Sequence, residues 1–381
     1  MENRQCLQEK LKNLPSSPGI YLMKDSLGNV IYVGKGKNLK NRVSQYFHNQ
    51  KDREPKVEEM IQNIRDFEYR VLDTELDALL EECRLIKEIK PLYNRQMKNE
   101  KKYVYLKIPQ KDFPKLEIVH AWEGRDDGAL YYGPFNSRNQ VEKALEFFND
   151  YFLLRKCTTT RPMNGGNGCL YRELETCLGV CTGKVSQEKY RVQIQALCQV
   201  IEGKDKSVNK RLKEEIKEAS EELEFEKAGS YKQYLMGVKY IQGRQKFLRS
   251  IHRNRSVLLL EFLDEYNTRA KAFLIRGNKL IMSRVVHFVG KKYTFNKLDL
   301  TNNELFNFLK EAQLNLKSEI LESEGNGNPR QLTSQEVDEA QIIYSYLNKK
   351  EGVFTFPVTK KMLKEEDFPE KFMEHILRKI P

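Results

Sequence analysis

Apolar and polar positions alternate over two short runs near the N-terminus, Gly19 to Asp25 and Asn29 to Lys35, on either side of Ser26-Leu27-Gly28-Asn29. That pattern predicts a β-hairpin. Because strand side chains alternate with period two, an even-numbered loop puts Tyr21 and Tyr32 on one face and an odd one separates them. The period then changes. Leu39, Arg42, Val43, Tyr46 and Phe47 follow helical spacing behind Asn38, a predicted N-cap, so Arg42 and Tyr46 share a helix face. A longer helix is predicted for TELDALLEECRLIKEIK, opened by Thr74 with Asp77 three residues on and stopped at Pro91. Leu76, Leu79, Leu80, Cys83 and Ile86 form its apolar stripe, and Glu82 lies at the edge of that stripe, facing partly inward.

Farther along, Tyr103 to Phe135 is strand-like and aromatic, ending in YYGPFNS, with a helix predicted over Gln140 to Phe152 and a cysteine-bearing loop after it. Asn209 to Gln242 is helical in two stripes. Leu212, Ile216, Ala219 and Leu223 make the first, and Ala228, Tyr231, Leu235 and Val238 the second beyond Phe225, which predicts an αα-hairpin. From about Ser256 the runs SVLLLEFL and KAFLIRGNKLIMSRVVHF read as strands, followed by helices and the polar ESEGNGNPRQ, a small α/β domain.

Composition narrows the partners. The 381 residues allow two or three domains, and 39% hydrophobic with 31% charged residues is a globular rather than a disordered balance. A formal net charge of +12 favours polyanions, nucleic acid first and an anionic membrane surface second. No apolar run approaches the roughly 18 to 20 residues that span a bilayer, so no membrane-spanning segment is predicted. MENRQCLQEKLKNL has no signal-peptide core, and the expected location is the cytoplasm. There the seven cysteines read as free thiols or metal ligands rather than disulfides.

One strand tyrosine, one helix arginine or one half-exposed glutamate has an ordinary packing or solvent role; their order carries the information. Gly19-Ile20-Tyr21, Tyr32-Val33-Gly34-Lys35, then Arg42, Tyr46, Glu82 and Asn94 resemble a GIY-YIG endonuclease domain. LPSSPGIYLMKD, IKPLYN, YYGPF and the cysteine block extend the likeness over roughly residues 10 to 245, where the chain is similar to the UvrC family of bacterial nucleotide excision repair. The resemblance implies an α+β multidomain chain. Its parts are a GIY-YIG α/β nuclease domain with a small antiparallel sheet and flanking helices over 10–98, and a linker region with the cysteine cluster over 99–200. A UVR-like helical hairpin over 205–245 and an α/β domain of unassigned role over 250–381 follow.

Phosphodiester hydrolysis needs charge stabilisation on the phosphate, a deprotonated water and a protonated leaving oxygen. Glu82 suits one divalent cation, Mg²⁺ or Mn²⁺, which binds through one or two carboxylates and keeps several waters. The planar fork of Arg42 suits phosphate oxygens, and the run Lys35, Lys37, Lys40 and Arg42, free of acids, suits the DNA backbone. The resemblance implies that Tyr32 takes the water's proton, with Tyr21, Lys35, Tyr46 and Asn94 ordering or polarising the site. A phenol with a pKa near 10 serves as a base at neutral pH only if Lys35 or the metal lowers it.

Cys157, Cys169, Cys177 and Cys181 are separated by eleven, seven and three residues, a soft-ligand set suited to zinc or an iron–sulfur cluster. The family resemblance implies a 4Fe-4S cluster. ELEFEKAGSYKQYL resembles the UVR motif through which UvrC meets UvrB, keeping Phe225-Glu226 but carrying Lys232-Gln233 in place of an Arg-Asp pair. RGNKLI resembles the lead-in to the family's RNase H-like nuclease domain, yet neither paired aspartates nor glycine-rich hairpins follow. The likeness is therefore to a shortened form, for which the family implies one nick in damaged duplex DNA, on the 3' side of the lesion. The rival expectation is a non-catalytic adaptor or regulator that binds UvrB and DNA.

Overall fold

The computed structural model describes residues 2–48, 53–94, 103–120, 127–157, 168–252, 254–287, 304–325, 333–349 and 352–379. The chain divides into two compact units, residues 1–99 with 250–381, and residues 100–249. No helix among the described residues is long and apolar enough to cross a membrane.

The first unit begins with α1 (Glu2–Lys12), β1 (Gly19–Lys24), β2 (Val30–Gly36), α2 (Leu39–Phe47), α3 (Pro55–Asn63), β3 (Asp66–Val71) and α4 (Glu75–Ile89). The strands form an antiparallel sheet in the order β2-β1-β3. Asp25 closes the hairpin by accepting from the backbone N–H groups of Leu27 and Asn29, both at 2.9 Å, while Gly28 takes a positive φ of 82° that other residues resist. Met23 pairs with Tyr32, so Tyr32 lies on the same face as Tyr21, two residues before Met23. That face carries Tyr21 and Met23 against Leu39 and Val43 of α2 and Met60 of α3; the opposite face buries Ile20, Leu22 and Val33 under Ala78, Leu85 and Ile86 of α4. Both helix starts follow the sequence reading. Asn38 accepts from the Asn41 N–H at 2.9 Å, and Thr74 and Asp77 form a complete capping box.

The same unit contains β7 (Ser256–Phe262), β8 (Arg269–Arg276), β9 (Lys279–His287), α10 (Glu304–Gly325), α11 (Ser334–Lys349), β10 (Val353–Val358), α12 (Lys360–Lys364) and α13 (Phe368–Leu377). Its antiparallel sheet runs β10-β7-β8-β9. Leu258, Leu260, Ala272 and Leu274 face Phe308 of α10 and Phe372 of α13, while Leu259, Phe273 and Ile275 face Ile342, Ile343 and Tyr346 of α11. Burial on both faces is why SVLLL reads as a continuous apolar run. The second core also contains Leu76 and Cys83 of α4, with Leu79 and Leu80 packed beside it. The expected single stripe of α4 is therefore divided. Most of it faces the sheet of residues 256–358, and only Ile86 of the named five faces the β1–β3 sheet.

The second unit holds β4 (Val104–Ile108), β5 (Glu117–Val119), β6 (Leu130–Phe135), α5 (Arg138–Tyr151), α6 (Leu170–Glu173), α7 (Gln187–Ile201), α8 (Ser207–Glu221) and α9 (Phe225–His252). The segment read as a linker, 99–200, shares one core with the helical hairpin: Leu106, Phe135, Phe148 and Leu197 pack with Leu212 and Val238. Leu223, expected on the α8 stripe, instead occupies the turn between α8 and α9 with a φ of 61° and is 71% exposed. The helical period ends two residues too early to bring it inward.

Candidate active site

Three tyrosines from three elements converge on the β2 edge of the small sheet. The ring centroids of Tyr21, Tyr32 and Tyr46 lie 5.9 to 6.2 Å apart in each pairing, and the Tyr21 and Tyr46 hydroxyls are 3.0 Å from one another. Tyr21 reaches across because Gly34 has no side chain; a Cβ there would stand 2.4 Å from the Tyr21 ring and hydroxyl. Arg42, one turn before Tyr46, holds its guanidinium carbon 5.5 Å from the Tyr46 ring centroid. Tyr21, Tyr32, Arg42 and Glu82 line a single cavity of about 470 Å³. Tyr32, Tyr46 and Glu82 also border a second cavity of about 310 Å³ floored by Val57, Met60 and Ile86.

Glu82 falls between Ala78 and Ile86, four residues from each, at the middle of the helix face turned to the β1–β3 sheet rather than at the edge of a stripe. Burial among these groups pushes its carboxyl up to about 7, against the pull of Lys35, Arg42 and the Lys35 backbone N–H. A single carboxylate raised by desolvation, beside cavities that have room for water, is a donor set that fits a hydrated hard cation. Among the described residues no group of three or more His, Cys, Asp or Glu side chains has metal-cage geometry, so the fit is to one carboxylate.

The phenols are pushed the other way from what a base requires. Burial raises Tyr21 well above its ordinary range with help from Tyr46 and Tyr32, and raises Tyr32 with help from Tyr46 and Glu82; Arg42 lowers both and does not prevail. Lys35, expected to lower them, is engaged elsewhere. Its ammonium and that of Lys37 each lie 3.1 Å from a Glu75 carboxylate oxygen, so the basic run is not free of acid in three dimensions. Asn94 is also occupied: its side-chain carbonyl accepts from the Val33 N–H at 2.9 Å, and its amide donates to the Val33 carbonyl at 2.8 Å. It completes the open edge of β2 beside Tyr32.

Comparison with known proteins follows the same residues. A family model described as the UvrC-like GIY-YIG domain matches residues 17–95, and the UvrC/Cho excinuclease middle domain matches 103–200. Residues 17–95 thus form a UvrC-like GIY-YIG domain and residues 103–200 a UvrC-type middle domain. It is 36% identical over 355 residues to UvrABC system protein C of Acetivibrio thermocellus, an alignment covering 92% of this chain and 54% of that protein. It is 41% identical over 277 residues to UvrABC system protein C of Caldicellulosiruptor saccharolyticus, covering 72% and 46%. The chain spans about half the length of the curated relatives it matches. The crystal structure of the GIY-YIG N-terminal endonuclease domain of UvrC from Thermotoga maritima, bound to its catalytic magnesium, is 33% identical, with 24% of this chain and 97% of that one aligned and a TM-score of 0.22.

The cysteine block lies within the UvrC-type middle domain. Residues 158–167 are outside the described residues, but Cys157, Cys169, Cys177 and Cys181 are not. Cys157 and Cys181 lie close enough to Cys169 to influence the ionisation of its thiol, as Cys177 does that of Cys157. Cys177 and Cys181 are buried, on either side of Gly179 with its positive φ of 81°. The chain entering the block is fixed by Tyr190, whose hydroxyl accepts from the Arg155 N–H at 2.9 Å and donates to the Pro114 carbonyl at 2.8 Å.

Glu75 is the site residue that the sequence reading missed. At the first position after the Thr74 cap it reads as a helix-dipole acid. Nothing local signals that residues 35 and 37, two helices and a strand away, meet there.

Proposed function

We infer that this chain is a metal-dependent DNA endonuclease of the nucleotide excision repair type, nicking one strand by phosphodiester hydrolysis. The observation that carries the reading is the convergence of Tyr21, Tyr32, Tyr46 and Arg42 around cavities that the half-buried carboxylate of Glu82 lines. Glu82 holds Mg²⁺ or Mn²⁺, which supplies charge neutralisation at the scissile phosphate. Arg42 grips non-bridging oxygens through its fork. Tyr32, in its deprotonated phenolate form, takes the proton of the attacking water while Tyr21 and Tyr46 orient it. The Glu82 charge is one cause of the raised Tyr32 pKa, so neutralising that charge acts in the direction a base role needs. Lys35, fixed by Glu75, contributes positive potential beside the phosphate, and Asn94 keeps β2 and therefore Tyr32 in register. The family resemblance supports a cut on the 3' side of the lesion.

The four cysteines hold a 4Fe-4S cluster in this reading, with zinc as the alternative; visible absorbance with iron, sulfide and zinc content separates the two. Docking of UvrB at the UVR-like hairpin is supported by Phe225, 69% exposed at the start of α9 beside the exposed Leu223. The deciding experiment maps incision on an end-labelled, lesion-bearing duplex with Mg²⁺, with and without UvrB. Loss of nicking in a folded Glu82→Ala chain is expected. Cutting that survives this change refutes the metal assignment, and a chain that only alters another nuclease's cutting is the adaptor.

A further inference from the structure

We propose that residues 250–381 act as a brace that sets the rotation of α4 and thereby the position of Glu82, with Lys87, Asp338 and Lys271 as positioning residues. The inference rests on reading Glu82 as the metal-holding carboxylate. A helix side chain ends about 5 Å from its axis, so turning α4 by about 20° moves that carboxylate by roughly 2 Å. A displacement of even about 1 Å costs a catalytic site on the order of a hundredfold. The nuclease sheet fixes one side of α4, where Glu75 also pairs with Lys35 and Lys37. It meets α4 through Ala78, Leu85 and Ile86, one of them a methyl group, with Glu82 itself in their midst.

The other side of the helix is fixed by residues 250–381. Leu76 and Cys83 are buried in the core made by Leu259, Phe273, Ile275, Ile342, Ile343 and Tyr346. Polar pins stand at both ends of α4. Near its N-terminus Lys271 of β8 lies 2.7 Å from Asp73 and 3.9 Å from Asp77, the capping-box acid. Near its C-terminus Lys87 pairs with Asp338 of α11 at 2.8 Å, with side chains only 17% and 11% exposed. Lys87 follows Glu82 by five residues, about 140° around the helix, so a pin on that side resists the rotation that moves the carboxylate. Buried and directional, such a pair specifies geometry even where it adds little net stability.

The test uses the full chain and two independent readouts: Mn²⁺ affinity of the folded protein by titration calorimetry or electron paramagnetic resonance, and the half-saturating Mg²⁺ for nicking set against kcat. Lys87→Met is expected to weaken Mn²⁺ binding at least fivefold with an unchanged circular dichroism spectrum, and Lys87→Asp combined with Asp338→Lys to restore affinity to within twofold. If Lys87→Met does not fold, Lys271→Met is read in the same way. A folded variant that melts lower yet binds Mn²⁺ as the unaltered chain does overturns the brace, since a purely stabilising contact does just that. Glu82-dependent Mn²⁺ binding without any nicking sinks the proposed activity and leaves the brace standing; an unaltered chain with no Mn²⁺ site sinks both.

Discussion

Replacing Glu82 by Gln removes a negative charge from the cavity wall while keeping the side chain's size. Burial raises this carboxyl from an ordinary 4.5 to about 7. Each tenfold change in the acid constant is about 1.4 kcal/mol, so keeping the group ionised in the folded chain costs about 3 kcal/mol. A group whose folded pKa is raised contributes stability that is fully present below its unfolded value and is lost as pH rises through its folded value. For Glu82 that window runs from about 4.5 to about 7. Without divalent cation, the Glu82→Gln chain is therefore more stable than the unaltered one by up to about 3 kcal/mol at pH 8, narrowing to about 1 kcal/mol at pH 5. For a folding unit of this size the pH 8 difference corresponds to a gain in Tm on the order of 5 °C. Calorimetric melts of both chains in chelator at the two pH values measure it, and added Mg²⁺ at pH 8 raises the Tm of the unaltered chain alone. A variant that melts lower at pH 8, or a gap that ignores pH, refutes desolvation as the force acting on this carboxylate.

Gly34→Ala places a methyl group 2.4 Å from the Tyr21 ring and hydroxyl; denaturant unfolding should show a loss of about 1–3 kcal/mol from overpacking, with reduced nicking as Tyr21 is displaced from Tyr46. Glu75→Gln frees Lys35 and Lys37, so non-specific duplex affinity should rise at low salt and the slope of log affinity against log salt should steepen by about one to two, while nicking falls because Lys35 loses its fixed place. An unchanged slope means those lysines already reach phosphate. Asn94→Ala removes both hydrogen bonds to Val33 on the edge strand, costing about 1–3 kcal/mol, and hydrogen exchange at the Val33 amide should accelerate.

What could be read from the chain alone was whatever is decided within a few residues. The Asn38 and Thr74 caps, the existence of the hairpin, and the shared face of Arg42 and Tyr46 follow from spacings of two, three or four, while the register that puts Tyr21 and Tyr32 on one face was settled by the strand pairing. Their side chains interact with their own turn or strand whatever lies beyond. The tertiary structure decided what each face meets. Two apolar sides of α4 look like one broad stripe in sequence, because a helical period marks which residues are apolar and not which sheet covers them. Lys35 and Lys37 look unpaired until folding brings Glu75, about forty residues away, within 3.1 Å of each. The phenols look ready to be activated until burial and mutual repulsion raise them, an effect of desolvation that no spacing reports. The last 130 or so residues read as a separate domain because their strand-like runs are followed by helices of their own. Leu76 and Cys83 nevertheless share a core with Phe273 and Ile343, nearly two hundred residues or more away in sequence, and the burial of apolar surface between such distant segments depends only on where the folded chain brings them together.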